Sequence, residues 1–327
     1  MEAMLVTGGA GYIGSHVVRQ LAERGERVIV LDNLSTGHAE AVLGGELVVG
    51  DTGDVALVNR LLAQHGIKTI LHFAAHIVVP ESVANPLKYY RNNTANTRTL
   101  LECAVEAGVR QFVFSSTAAV YGLPQGGSAS EDTPTAPINP YGWSKLMSEW
   151  MLRDVSASTP MRHVVLRYFN VAGADPGGRI GQSTPEATHL IKVACQHAVG
   201  MRPHVSVFGT DFETDDGTGV RDYIHVEDLA SAHLAALDYL AAGGTSTVLN
   251  CGYGHGSSVR EVLDTVARVA GRPLTIRDEA RRPGDPAMLV AHAERIRTLL
   301  GWQPKLDDLE LIVRHALAWE KALQGQN

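Results

Sequence analysis

Only three cysteines occur in 327 residues, Cys103, Cys195 and Cys251, an odd number without CxxC spacing. That argues against a disulfide framework or a zinc ribbon and suits reduced thiols in a cytosol. No run of eighteen apolar residues is present, so no membrane-spanning helix and no membrane partner is expected. The opening residues, Met1 to Val6, lack the basic end and long apolar run of a signal peptide, which again reads as cytoplasmic. Charge of one sign is missing too: 28 Lys and Arg stand against 35 Asp and Glu, dispersed, for a formal net charge of −7. A nucleic-acid partner would want a basic stripe, so none is expected. Apolar residues are not scarce: 45% hydrophobic against 19% charged gives ample core and argues against disorder.

Glycine, by contrast, is abundant, 33 residues, about a tenth of the chain against roughly 7% on average. Such an excess signals tight turns or close backbone approach to a ligand. Short β-branched runs at Met4–Thr7, Arg27–Leu31, Leu47–Val49, Thr69–Ala74, Gln111–Ser115 and His163–Tyr168 alternate with helical patterns such as Ser15–Glu23, Val55–Gln64 and Asn93–Ala107. Runs this short and apolar read as parallel strands buried on both faces. The expected fold is α/β, a Rossmann-like doubly wound parallel sheet over residues 1–169. Residues 170–327 carry Gly-, Pro- and Asp-rich loops between helical segments at Val226–Leu240, Val259–Ala270 and Leu306–Leu323. They read as a smaller, loop-rich α/β substrate-binding domain, with a soft boundary that the chain can cross back over. Gly25, Gly66, Gly108 and Gly271 stand where helices should stop.

The first strand runs straight into Thr7-Gly8-Gly9-Ala10-Gly11-Tyr12-Ile13-Gly14, which opens a helix. Glycines at 8, 11 and 14 allow a tight turn, close approach of a pyrophosphate and close helix packing, and the helix start offers free N–H groups. A triplet alone is weak. Here the next strand ends in Asp32, an acid able to accept from adenosine ribose hydroxyls and to repel a 2′-phosphate, which favours NAD over NADP. Asp51 follows the third strand, where it either reaches the adenine or merely caps a loop.

The fifth strand ends in Ser115-Ser116-Thr117, and Pro140-Tyr141-Gly142-Trp143-Ser144-Lys145 begins a helix. Tyr141 and Lys145 therefore share one helix face. A free tyrosine titrates near 10 and is a poor base at neutral pH; a nearby ammonium and a positive nicotinamide would lower it. Thr117 could relay the proton and orient a substrate oxygen. YxxxK alone is common, but joined to the dinucleotide turn it is specific. Metal is not expected: His72 and His76 lack the intervening glutamate of a metalloprotease helix. No GxSxG elbow supports a hydrolase.

Over essentially its whole length the sequence resembles the extended short-chain dehydrogenase/reductase family and, within it, the UDP-glucose (UDP-galactose) 4-epimerases. The resemblance rests on TGGAGYIGSH at 7–16, DNLSTG at 32–37, HFAA at 72–75, ESV..P..YY.NN at 81–93, FSSTAAVYG at 114–122 and PYGWSK at 140–145. It extends through LRYFNVAGA at 166–174, DGTGVRDYIHVEDLA at 216–230 and RRPGD at 281–285, which belong to nucleotide-sugar enzymes specifically. It implies tightly bound NAD, touched by Gly8, Gly11, Tyr12, Ile13, Gly14, Asp32, Asn33, Ser35 and Thr36. It adds Asp51, Thr52, Phe73, Ala74, Ala75, Asn92, Ser115, Tyr141, Lys145 and Tyr168. Thr117 and Tyr141 match the family's catalytic pair, and Lys145 the lysine that holds the nicotinamide ribose. Asn170, His189, Leu190, Ser206, Phe208, Arg221, Arg282, Asp285 and Leu289 fall where the family grips a UDP-sugar. Independently, two arginines can fork onto a diphosphate and Asp285 can hold ribose hydroxyls; without the match, Arg282 would read as a solvated surface charge. The resemblance also implies a homodimer, paired through helices around Asn93–Ala107 and Tyr141–Val155.

The departures are informative. Some relatives have serine at 117 or asparagine at 189. Others place a lysine at 77, where Ile77 cannot donate. Leu289 aligns with a position that is tyrosine in strict glucose/galactose epimerases and small in broader ones, so N-acetylated sugars remain open, as do UDP-pentoses. The implied activity is interconversion of UDP-glucose and UDP-galactose: oxidation at C4, rotation of the 4-keto sugar, and reduction from the other face. A 4,6-dehydratase needs an acid and a base after the threonine, and here Ala118-Ala119 follow. A non-catalytic NAD sensor or scaffold, the reading from another class, would be expected to have lost Tyr141 or Lys145.

Overall fold

Consecutive residues of the inner strands face opposite cores, and this alternation organises the molecule. The computed structural model describes residues 2–184, 187–282 and 284–325. Its central sheet has seven parallel strands: β1 (Met4–Thr7), β2 (Val28–Asp32), β3 (Glu46–Val49), β4 (Thr69–His72), β5 (Gln111–Thr117), β6 (Arg162–Tyr168) and β7 (Thr247–Cys251), in the order β7-β6-β5-β4-β1-β2-β3. Val6, Val30, Leu71, Val113 and Val164 point to one core; their neighbours Leu5, Ile29, Ile70, Phe112 and Val165 point to the other. Period-two alternation with both faces apolar is what a sheet covered on both sides requires.

Helices α1 (Tyr12–Glu23), α2 (Val55–His65), α3 (Asn96–Glu106) and α4 (Pro140–Ser158) belong to the first half. In the second half come α5 (Leu190–Ala198), α6 (Val226–Ala241), α7 (Val259–Ala270) and α8 (Leu309–Gly325). Leu21 of α1 and Leu229 and Leu237 of α6 cover the first face; Leu61 of α2, Leu100 of α3 and Leu152 of α4 cover the second. Local chemistry sets several helix ends. Asp54 accepts from Leu57 N at 3.0 Å to start α2, and Asn139 accepts from Gly142 N at 2.9 Å, with Pro140 behind it, to start α4. Ser258 and Glu261 form a capping box on α7.

The expected elements are present with shifted ends: β5 continues to Thr117, α1 starts at Tyr12 and α8 starts only at Leu309. β4 stops at His72, because Phe73 and Ala74 must turn beneath the glycine loop: a Cβ on Gly8 would lie 2.5 Å from Ala74 N. Before α3 the helix widens into a π-type turn over Tyr90–Ala95, a feature frequent at functional sites. There Asn93 accepts from His76 N at 2.8 Å and donates to His76 O at 2.9 Å and Ser144 Oγ at 3.0 Å, clipping the loop after β4 to α4.

The chain crosses residue 170 in both directions. After Asn170–Ala172, which pairs with Tyr223–His225, it returns through α6 to add β7 beside β6. A small sheet on the substrate side joins Ser257–Ser258, Val220–Arg221 and Met288–Ala291 to Ser128–Ala129 from the first half. The strand order of the large sheet reverses between β1 and β4, and the crevice outside their carboxyl ends is where ligands bind such sheets.

Candidate active site

A cavity of about 1290 Å³ runs from the glycine turn, past Tyr141, to Arg282 and Asp285. At its first end Gly8 has φ +72°, and a Cβ on Gly14 would stand 2.2 Å from Gly8 O. Larger residues would fill the cradle. Gly11 precedes α1 without a side-chain cap, so the first N–H groups of the helix stay free for phosphate oxygens. Tyr12 donates its phenol to Gly173 O at 2.7 Å, tying this turn to the substrate side. Asp32 ends β2 with Oδ2 accepting from Ala10 N at 2.9 Å and Oδ1 from Leu34 N at 2.8 Å. Leu34 adopts the left-handed region, φ 57°, to make that bond. The fixed carboxylate lines the cavity, which fits two ribose hydroxyls and disfavours a phosphate there.

Asp51 is a loop cap that also faces the cavity. It caps its loop through Gly53 N at 2.8 Å and lines the cavity, where Asn33 and Asn96 donate to it at 3.1 and 2.8 Å. Ile13, Asn33, Ser35, Thr36 and Thr52 line the same end, and Phe73, Ala74, Ala75 and Asn92 the middle. These groups fit NAD: a glycine cradle, an open helix start and an acid at the ribose position.

Tyr141 and Tyr168 face the cavity beside Thr117; Ser115 and Lys145 stand behind its wall. Lys145 Nζ donates to Ser115 O at 2.7 Å and lies 4.8 Å from the centre of the Phe114 ring. Ser115 Oγ donates to the Tyr168 phenol at 2.9 Å. Burial governs the electrostatics. It pushes the Tyr141 phenol well above its ordinary value, with Thr117 pulling the other way by hydrogen bonding, and it pushes Lys145 down to about 7. The lowering of Tyr141 expected from the ammonium is therefore not achieved by the chain alone. A bound positive ring would supply the missing field.

On the substrate side, Asn170, His189, Leu190, Ser206, Phe208 and Leu289 line the cavity together with Arg221, Arg282 and Asp285. Arg221 Nη2 donates to Asp285 Oδ1 at 2.9 Å, and Nη1 to Val220 O at 2.8 Å. The Arg282 guanidinium lies 3.8 Å from the Phe208 ring centre, an exposed charge stacked on an aromatic face. Leu289 pairs in register with Arg221 across parallel strands. Ile77 reaches the cavity too and is 41% exposed.

Sequence reasoning missed a buried brace behind His189. Gln182 Nε2 lies 2.9 Å from His189 Nδ1, while its carbonyl accepts from Lys192 Nζ and from the Trp319 indole N–H. Lys192 is paired with Glu320 of α8, both nearly inaccessible. A lone lysine in the apolar stretch LIKVAC was a visible signal; its partner, far along the chain, was not. His72 has both ring nitrogens engaged, by Thr7 at 2.6 Å and Thr97 at 2.8 Å, and burial lowers it to about 3. Among the described residues no three His, Cys, Asp or Glu side chains could hold a metal ion.

A crevice at the strand-order reversal, closed by a helix that presents tyrosine to the cavity and lysine one turn behind it, is the architecture of a short-chain dehydrogenase-type enzyme. The comparisons narrow the class. The NAD dependent epimerase/dehydratase family model matches residues 4–252. A UDP-glucose 4-epimerase of Azospirillum brasilense is 57% identical over 322 residues, 98% of this chain and 92% of that protein. The crystal structure of the Brucella ovis UDP-glucose 4-epimerase in complex with NAD superposes with a TM-score of 0.94 at 42% identity, covering 97% of this chain and 98% of that one. The UDP-Glc/GlcNAc 4-epimerase of Campylobacter jejuni gives 0.87 at 50% identity, over 98% and 100%. The chain belongs to the NAD dependent epimerase/dehydratase family and, within it, to the UDP-glucose 4-epimerases.

Proposed function

We propose that this enzyme interconverts UDP-glucose and UDP-galactose by inverting the sugar at C4. The observation that carries the reading is one continuous cavity with Tyr141 between a dinucleotide cradle and an arginine-lined wall. Bound NAD would supply a reversible hydride acceptor for C4, so the reaction would need no outside oxidant. Tyr141 Oη takes the proton of the 4-hydroxyl and later returns it, and Thr117 Oγ orients that oxygen. Lys145 holds the nicotinamide ribose and keeps positive charge behind the phenol. Arg221 and Arg282 hold the diphosphate, Asp285 the uridine ribose. Remote binding retains the 4-keto sugar while the hexose turns. Ala118 and Ala119 line the cavity where an elimination would need an acid and a base, which favours return of the hydride over loss of water.

Purified protein, denatured, should release NAD, and intact protein should convert UDP-galactose without added reductant. No released NAD together with no conversion of UDP-galactose or UDP-N-acetylgalactosamine would sink the reading. Leu289, smaller than tyrosine, supports a second activity on UDP-N-acetylhexosamines; UDP-pentoses are the other candidates for the same assay. The division of labour is a NAD-binding part before residue 170 and a UDP-sugar part after it. We further propose a cytoplasmic homodimer paired through α3 and α4, which leave Val105 and Trp150 exposed at 38% and 41%. Sedimentation of the holoenzyme as a monomer would refute the dimer.

A further inference from the structure

Behind the catalytic helix lies a buried polar chain that the epimerase mechanism does not use. Glu149 sits one turn beyond Lys145 on α4 and is 5% exposed; Arg167 on β6 is 6% exposed. The Arg167 guanidinium grips both carboxylate oxygens, with Nη2 to Oε2 at 2.5 Å and Nε to Oε1 at 3.0 Å. Ser116 Oγ donates to Glu149 Oε1 at 2.5 Å. On its other side Arg167 Nη1 donates to the Tyr121 phenol at 3.0 Å, and that phenol donates to Asn250 Oδ1 at 2.6 Å. Asn250 Nδ2 donates to Ala129 O at 2.8 Å, and Ala129 pairs with Ala291 of the strand that carries Leu289.

A buried ion pair is a poor way to gain stability, since apolar residues of the same volume often do as well or better. Its location is more telling. Ser116 stands between Ser115, whose carbonyl accepts from Lys145, and Thr117, the hydroxyl beside Tyr141. Among the described residues no carboxylate forms a direct ion pair with Lys145. The groups that act on that ammonium are the Phe114 ring and Ser115 carbonyl of β5, neutral His72 of β4 and Glu149 of its own helix, with Arg167 of β6 reaching it only through Glu149. Glu149 is the only anion among them.

We propose that Glu149, fixed by Arg167 and Ser116, is a positioning residue that keeps Lys145 protonated and sets the end of β5 at Thr117. The proposal rests on the epimerase reading for its consequence, because a charged Lys145 is what a Tyr141 phenolate needs. Burial drives Lys145 down and Glu149 opposes it, in agreement with this assignment.

The chain has only six lysines, so 13C-lysine NMR on the holoenzyme can follow Lys145 directly, with Lys145→Arg assigning its resonance. Glu149→Gln should lower the Lys145 titration midpoint by about one pH unit and bring the alkaline limb of the kcat profile down correspondingly, because the lysine has to stay charged. Glu149→Asp, which keeps the charge, should leave the midpoint close to wild type even if the melting temperature falls. Should Glu149→Gln fail to fold, the double variant Glu149→Gln with Arg167→Gln is compared with Arg167→Gln alone, in which the midpoint should stand higher. A midpoint unchanged in folded Glu149→Gln, or equal in those two variants, overturns the proposal. Wild-type protein that does not epimerise UDP-sugars while the lysine midpoint still moves would instead remove the epimerase reading.

Discussion

Arg221 and Asp285 hold one another at 2.9 Å across the wall of the substrate half of the cavity. The two groups assigned to the diphosphate and the ribose are thus fixed in advance, and the second Nη of Arg221 is anchored on Val220 O. Hydrogen bonds to charged groups contribute about 1.5–3 kcal/mol each. Asp285→Asn should therefore weaken UDP binding about tenfold, and Arg221→Leu about a hundredfold, with isothermal titration of UDP into the holoenzyme as the measurement. A loss below threefold in both would mean that the diphosphate lies elsewhere.

Tyr141→Phe removes the proton acceptor and keeps the ring that packs edge-on against Tyr89 at 6.5 Å. General acid–base groups are worth about 10²–10⁴-fold in rate. Turnover of UDP-galactose should fall by at least the lower figure while NAD released on denaturation stays stoichiometric. Activity within a few-fold of wild type would show the base to be another group.

Buried histidines set the acid response. Burial lowers His72 and His225 to about 3, and His163 and His233 to about 4, from an ordinary 6.5. Each is neutral in the fold and binds a proton more readily once unfolded. Their contribution is thus complete above pH 6.5 and is lost as pH falls from there towards 3 or 4. Lys145, lowered to about 7 from 10.5, adds the same slope on the alkaline side: the cost of burying its charge shrinks as pH rises through that window. Melting temperature should fall steeply below pH 6, and less steeply in His163→Asn, which removes a ring hydrogen-bonded to Ser156 Oγ at 2.7 Å. Equal slopes for the two proteins would remove His163 from the account.

Much of this was legible because it is local. The glycine turn, Asp32 and the Tyr141–Lys145 spacing are written in consecutive residues, and strand alternation needs only a short window. What stayed hidden depends on folding at a distance. Burial, not sequence spacing, sets the ionisation of Tyr141 and Lys145. Nothing local in the sequence brings Phe208 beneath Arg282; that stacking joins distant parts of the chain. The strand Ser128–Ala129 crosses to the substrate side because its partners at 290–291 lie far along the chain. Ala74 leaves β4 for a reason found only at Gly8, on the neighbouring strand's loop.

Leu289 is the residue proposed to set the width of the sugar site. Its strand register with Arg221 places it beside the group proposed to hold the diphosphate, and it lines the cavity. Leucine leaves space that a tyrosine ring would occupy, and filling such space excludes the larger acetamido sugar first, by steric overlap rather than by loss of a contact to UDP. Leu289→Tyr should lower kcat/KM for UDP-N-acetylgalactosamine relative to UDP-galactose by at least about tenfold, since overpacking a fitted site costs about 1–3 kcal/mol. Affinity for UDP alone should not change, because Arg221 and Asp285 are untouched. Competing both sugars in one reaction gives the ratio directly, and a ratio that does not move would place the discriminating residue on another wall, with Ile77 and Phe208 the next to substitute.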